Sequence, residues 1–411
     1  MRVLELFKQI ASIPHCSGDT AALRDFIVEF ARNCGFKSLV DNAGNILCYR
    51  SKRRICLQAH YDMVCVGQAP KIELIEEDGW LRAKNSSLGA DNGIGVAMML
   101  ALMREGKEAE YLFTNDEEIG LIGAINLGLE LEAKQMINLD SEEFGAIYVG
   151  CAGGADVEAA CVAAFEKRDG FFYEVRAKNF PGGHSGVDID KNIPSAIKEF
   201  AHFVGEAEIG ALKAGERRNS IPATLTAKVA TRMPLESNEF FDVEAARPFE
   251  VAKAPIVPML LAYAHGVRGW HKEFDIPYKS ANLAIVELDA QRLAIQTSLR
   301  ANSDEALERL VDEERAFFEL LGFDVSVSGE YPAWEPKVTP LAQTLQRAYE
   351  PYGGASLKAI HAGLECAVFA KKYPDMQIAS IGPTIEYPHS LRERVRIADI
   401  EPIYSILKGL L

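Results

Sequence analysis

At 411 residues the chain exceeds what one hydrophobic core usually fills, and its 48% hydrophobic and 25% charged content is that of a globular protein, not a disordered or fibrous one. The net charge of -15, from 44 Lys and Arg against 59 Asp and Glu, argues against nucleic acid or an anionic membrane as partner, since both demand clustered positive charge.

Arg2, Glu5 and Lys8 interrupt the N-terminus before any signal-peptide core can form, and no run approaches the ~20 apolar residues of a membrane span. Helical spacing of Leu4, Phe7, Ile10 and Ala11 predicts a helix over 3–13, and a second amphipathic helix is expected over 21–34. Apolar runs at 46–49, 55–59, 111–114 and 136–139 then read as strands, interleaved with helical stretches at 94–103 and 121–129. That alternation predicts an α/β domain around a mostly parallel, buried sheet. From 171 to 332 the texture changes. Strands at 172–177, 223–233, 284–288 and 294–300 surround helices at 194–204 and 303–321, as in an inserted α+β domain. The α/β texture returns with a helix near 341–349, a strand at 377–381 and a helix from 399 to the end. The expected organisation is therefore a discontinuous domain, 1–170 with 333–411, interrupted by an insert over 171–332. The eight cysteines form no CxxC pair and several lie in apolar runs, so free buried thiols in a reducing cytoplasm are expected.

Five clusters carry the chemistry. The strand at 55–59 runs into His60, with Asp62 two positions on and hence on the same side of an extended chain, where it is placed to orient a metal-binding imidazole. Gly89-Ala90-Asp91-Asn92-Gly93 delivers one acid to the start of an apolar helix, where it is a helix cap or a ligand. The strand at 111–114 ends in Asp116-Glu117-Glu118, three successive carboxylates whose repulsion calls for a proton or a cation. Asp140 follows the strand at 136–139, and His389 lies beyond the strand at 377–381. Each signal alone has a structural explanation. Together they fall beyond the carboxyl ends of strands, where open α/β sheets bind ligands. Two imidazoles with several carboxylates suit zinc, cobalt or manganese better than magnesium or calcium. Five ligands fit two ions sharing a bridging carboxylate, able to acidify a water and polarise a scissile carbonyl. One of the paired glutamates would coordinate and the other act as general base; spacing alone does not say which.

These motifs, with Gly182-Gly183-His184-Ser185-Gly186, His361-Ala362-Gly363-Leu364-Glu365-Cys366 and Ser380-Ile381-Gly382-Pro383-Thr384, resemble the aminoacyl-histidine (Xaa-His) dipeptidases among the di-zinc exopeptidases. The resemblance spans nearly the whole chain. It implies that His60 and Asp140 hold one zinc, Glu118 and His389 the other, and Asp91 bridges them, with Glu117 as base and Asp62 steadying His60. It implies further that the insert is a lid mediating homodimerisation, that His184 stabilises the developing oxyanion, and that Asn219, Asn282, Arg300 and His361 lie near a small peptide substrate. Arg300 is chemically suited to a terminal carboxylate. The chain departs from the pattern in a shorter lid, in Asn115 where an acid is common, and in His15-Cys16 where an Arg-Ser type of pair is familiar. The rival readings are a deacylase on the same metals, a metal-binding regulator without catalysis, and a cysteine hydrolase using Cys366 with His361.

Overall fold

The computed structural model describes residues 2–51 and 53–411 and divides into two compact units, one of Met1–Cys151, Trp334–Ala359 and Leu364–Leu411, the other of Ala152–Ala333 and Ile360–Gly363. The first unit is built on an eight-stranded sheet in the order Lys37–Val40, Ile46–Tyr49, Glu110–Thr114, Ile55–His60, Gln135–Asn138, Gln377–Ser380, Ala146–Cys151, Ser356–Ile360. Its four central strands, Glu110–Thr114 to Gln377–Ser380, pair in parallel, and their near-continuous burial is what two covered faces require. Helix Ala90–Arg104 is buried on every side from Asn92 to Met103, as its unbroken apolar run Ile94–Met103 dictates. Helices Arg2–Ala11 and Ala21–Asn33 instead bury one stripe each, Leu6, Phe7 and Ile10 on the first, Leu23 and Ile27 on the second.

The second unit is an antiparallel nine-stranded sheet whose core also takes in helices Ala196–Val204, Ile256–Ala262 and Asp304–Leu320 through Phe200, Leu260, Leu310 and Phe318. It starts at Ala152, upstream of the boundary at 171 expected from texture. The reason is strand Gly153–Val162, whose Gly- and Ala-rich sequence has weak strand character but which pairs with Arg292–Ala301 on one side and Asp324–Tyr331 on the other. The tetrapeptide 360–363, expected in the first domain, also belongs here: Ala152 N donates to Ile360 O, and His361 bonds Ser280.

Two further expectations are corrected. The helix expected over 121–129 is a single turn, Ile122–Ile125, because Leu121 takes a left-handed backbone (φ 57°) and Gly128 N turns away to donate to Asp41. Cys16 and Cys65 are joined by a disulfide and are not free thiols; the loop after the first helix and the loop after His60 bring their Cα atoms to 5.5 Å. No helix among the described residues is long and apolar enough to cross a membrane.

Candidate active site

His60 is the last residue of a central strand, and Glu117, Glu118 and Asp140 follow the ends of its two neighbours, so parallel pairing alone gathers four of the expected groups at one sheet edge. Asp91 enters from the start of the buried helix, where it and Asn92 leave helical dihedrals and the peptide between them is cis. His389 arrives on the loop past Gln377–Ser380 with a left-handed backbone (φ 56°), an uncommon setting for a side chain of its size.

The five expected metal ligands are brought together. His60 Nε2 lies 3.1 Å from Asp91 Oδ1 and 3.2 Å from Asp140 Oδ1, while His389 Nε2 lies 3.0 Å from Asp91 Oδ2 and 2.9 Å from Glu118 Oε2. Ligand atoms of His60, Asp91 and Asp140 cluster within 4.8 Å, as do those of Asp91, Glu118 and His389, and those of His60, Glu117 and Glu118. Asp91 thus offers one oxygen to each imidazole and belongs to two of the three groups. Burial would raise the pKa of Asp91, but its bonds to both imidazoles hold it well below the carboxylate range. Glu118 is pushed up to about 7 by burial and the charge of Asp91. His389 is likewise pushed up, to about 11, because Asp91 and Glu118 outweigh the desolvation that would lower it.

Four carboxylates face two imidazoles, so with all four ionised two negative charges are left over even when both rings are protonated. Like charges about 4 Å apart cost on the order of 4 kcal/mol even at an effective dielectric of 20. The buried Glu118 Oε1 has no hydrogen-bond partner. Divalent cations answer both facts, and the mixed imidazole and carboxylate donors fit zinc-like ions.

Glu117 is held by burial and by neighbouring carboxylates well above its ordinary pKa. Its position comes from Asp62. That buried carboxylate accepts from the backbone N–H of Glu117 (3.0 Å) and Glu118 (3.3 Å) and from Ser17 Oγ (2.8 Å), with Oδ1 3.5 Å from His60 Nδ1. The carboxylate sets the path of the glutamate loop, and the backbone carbonyl of Asp62, 3.0 Å from His60 Nδ1, sets the tautomer of that ring. Asp116, the third acid of the run, turns out of the cluster: at φ 53° it accepts from Gly18 N (2.7 Å) and Asn115 Nδ2 (2.9 Å).

Two buried glutamates escaped the sequence reading. Glu393 accepts from the backbone N–H groups of Leu88 (2.7 Å), Gly89 (3.1 Å), Ala90 (2.8 Å) and Asp91 (3.4 Å), tying the Asp91 turn to the loop that carries His389. Its position four residues after His389 was the only signal. Glu365, pushed up to about 8 by burial, accepts from Gln58 Nε2 (2.6 Å) and Thr114 Oγ1 (2.8 Å) on the strands that carry His60 and Glu117.

The remaining expected residues lie in the second unit. His184 Nδ1 accepts from Gly186 N (3.2 Å) and Val187 N (3.3 Å), which leaves the proton on Nε2. Burial and the charge of Arg300 lower its pKa to about 4, so the ring is neutral at neutral pH. Arg300 is 8% exposed and donates from Nη1 to Tyr331 Oη at 2.7 Å, with Nε buried and unpartnered. His361 is buried with both ring nitrogens engaged, Nε2 with Ser280 Oγ (2.7 Å) and Nδ1 with the Asn302 amide (3.1 Å); burial and Arg300 lower it to about 3. Asn282 Nδ2 holds the carbonyls of Arg218 and Ser220, leaving its buried Oδ1 unpartnered, and Asn219 between them is exposed. Cys366 is fully buried and its thiol is pushed far above the ordinary range by desolvation, which removes the cysteine-hydrolase reading.

A family model, peptidase family M20/M25/M40, matches residues 56–411. The chain is 31% identical to the cytosol non-specific dipeptidase of Escherichia coli (strain K12), over 99% of this chain and 96% of that protein. The crystal structure of aminoacylhistidine dipeptidase from Vibrio alginolyticus superposes with a TM-score of 0.85 at 28% identity, covering 100% of this chain and 96% of that one. A tripeptidase from Staphylococcus aureus shares the fold at a TM-score of 0.62 and 17% identity, over 100% of this chain and 96% of that one.

Proposed function

The chain belongs to peptidase family M20/M25/M40, and from that premise we propose that it is a metal-dependent dipeptidase acting on small dipeptides of the Xaa-His type. The observation that carries the reading is Asp91, whose two oxygens face two different imidazoles, each of which also meets a further carboxylate. His60 and Asp140 would hold one ion and Glu118 and His389 the other, with Asp91 between them; zinc is the ion we favour, ahead of cobalt and manganese. Such ions supply polarisation of the peptide carbonyl and acidification of water.

The protein's own groups do the rest. Glu117 accepts the proton of the attacking water and returns it to the amine nitrogen as the C–N bond breaks. Asp62 keeps that carboxylate and His60 in place. His184, with its proton fixed on Nε2, donates to the carbonyl oxygen as charge develops there, from its own subunit or across a homodimer formed through the second unit. Arg300 pairs with the C-terminal carboxylate of the substrate, Asn219 and the free Oδ1 of Asn282 take polar groups near it, and His361 shapes the surroundings of Arg300. The two named dipeptidases support dipeptide hydrolysis, the one from Vibrio alginolyticus supports the Xaa-His preference, and the Escherichia coli relative supports a cytoplasmic location.

Chelation is expected to abolish dipeptide hydrolysis and added zinc to restore it. Glu117→Gln is expected to keep the metals and lose turnover; a fully active Glu117→Gln protein would sink the mechanism. Xaa-His dipeptides assayed beside N-acyl amino acids separate this reading from deacylation.

A further inference from the structure

Arg300 and Tyr331 sit on strands that are not neighbours. Strand Gly153–Val162 runs between them, and both residues are register partners of the same residue on it, Gly154. Register partners point to one face of a sheet, so Arg300, position 154 and Tyr331 form a row across three strands. Strand spacing of about 4.8 Å puts the outer two roughly 10 Å apart, and their side chains can meet only by passing over the middle position. That position must then be bare. A Cβ at Gly154 would lie 2.5 Å from Tyr331 Oη and 2.6 Å from its Cζ, and the glycine's backbone φ is not in the left-handed region, so space and not conformational freedom explains it.

Two further features put the ring there. From Asp324 to Ser328 the strand keeps one register with Gly153–Val162, and that register would set Glu330 opposite Gly154. A bulge between Ser328 and Tyr331, with Gly329 at φ 63°, inserts one residue and re-aims Tyr331 instead. Gly363 lies against the ring as well, since a Cβ there would fall 2.8 Å from Tyr331 Cε2. The tyrosine is thus laid between two glycines with its hydroxyl 2.7 Å from Arg300 Nη1. Meanwhile, among the described residues, no carboxylate lies within ion-pair distance of this nearly buried guanidinium, and a cation so placed calls for an anion.

We propose that Tyr331 is a positioning residue that fixes the rotamer of Arg300, making the site specific for substrates that end in a free carboxylate. The inference rests on the reading of Arg300 as the carboxylate-binding group. Tyr331 does not touch substrate. It holds one edge of the guanidinium so that the remaining N–H groups keep the planar fork that a carboxylate accepts.

Steady-state hydrolysis of alanyl-histidine and of alanyl-histidinamide by the zinc-loaded protein tests this through the ratio of kcat/KM, acid over amide. Arg300→Gln is expected to erase the wild-type preference for the acid. Tyr331→Phe, and independently Gly154→Ala, are expected to lower the ratio about tenfold, through KM for the acid with kcat little changed, as loss of a hydrogen bond to a charged group predicts. An unchanged ratio in Arg300→Gln overturns the reading of Arg300 and the inference with it. A ratio lost in Arg300→Gln but retained in Tyr331→Phe overturns the role of Tyr331 alone. Equal losses on acid and amide in Tyr331→Phe also overturn it, because a purely structural role would not discriminate between them.

Discussion

One carboxylate, Glu393, gathers four successive backbone N–H groups of the turn that presents Asp91, and it stands on the loop of His389. Glu393→Gln preserves shape but removes the charge and one accepting oxygen, so the turn loses part of its anchor. The expected outcome is a 10- to 100-fold fall in metal affinity, read by competition with a chromogenic chelator, with the folded state retained. Unchanged affinity would mean that the turn is held by other contacts. Asp62→Asn should do comparable damage by another route, since an amide cannot accept from Ser17, Glu117 N and Glu118 N as two full oxygens do; turnover should fall more than metal content. The candidate ligands were legible in the sequence because His60, Glu118 and Asp140 follow apolar strands and Asp91 opens an apolar helix, positions that carry ligands in an open sheet, whereas His389 lies on a loop well past its strand. Glu393 was not legible, because its partners are backbone groups some three hundred residues away, and only the fold brings them together. The acid run 116–118 shows the same limit. Nothing in its spacing says that Asp116 turns toward Gly18 while its two neighbours stay in the cluster.

Elements with strong periodicity or high strand character were readable, and elements defined by their partners were not. Helix Asp304–Leu320 announces itself with Ser303, whose hydroxyl accepts from Ala306 N at 3.2 Å. Ser303→Ala is expected to lower unfolding free energy by about 1 kcal/mol in denaturant titration while leaving metal affinity alone. Strand Gly153–Val162 gives no such signal, as GGADVEAACV is built from small residues that rank low as strand formers. Its smallness is the point at Gly154, where two larger side chains from flanking strands meet above it. The short turn Ile122–Ile125 misleads for the opposite reason: apolar spacing continues past it, but the helix starts at a left-handed Leu121 and stops at Asn126, and Gly128 N beyond it donates to Asp41.

For the molecule as a whole, acid should act early on the second unit. Burial lowers the pKa of His184 and His265 to about 4 and of His361 to about 3, against 6.5 for a free imidazole, with Arg300 adding to the shift at His184 and His361 and Lys198 at His265. As pH falls below 6.5 the unfolded chain takes up protons that these folded rings refuse, so stability is lost progressively down to about pH 4 or 3, on the order of a few kcal/mol per ring. His265→Asn, which keeps an acceptor for Leu283 N, should flatten the drop in unfolding midpoint between pH 6.5 and 4. An unaltered profile would place the acid sensitivity elsewhere. The tetrapeptide 360–363 limits how this unit can be handled. It comes from far along the chain, yet it supplies the ring that bonds Ser280, the carbonyl that receives Ala152 N and the glycine beneath Tyr331. A contiguous fragment cut at 152 and 333 would lack it, and the same stretch transplanted from a relative would arrive without its clasp. Recombination between members of such a family is therefore constrained at two separated places at once, so that the second unit of one member folds whole only when a few residues from far downstream are inherited with it.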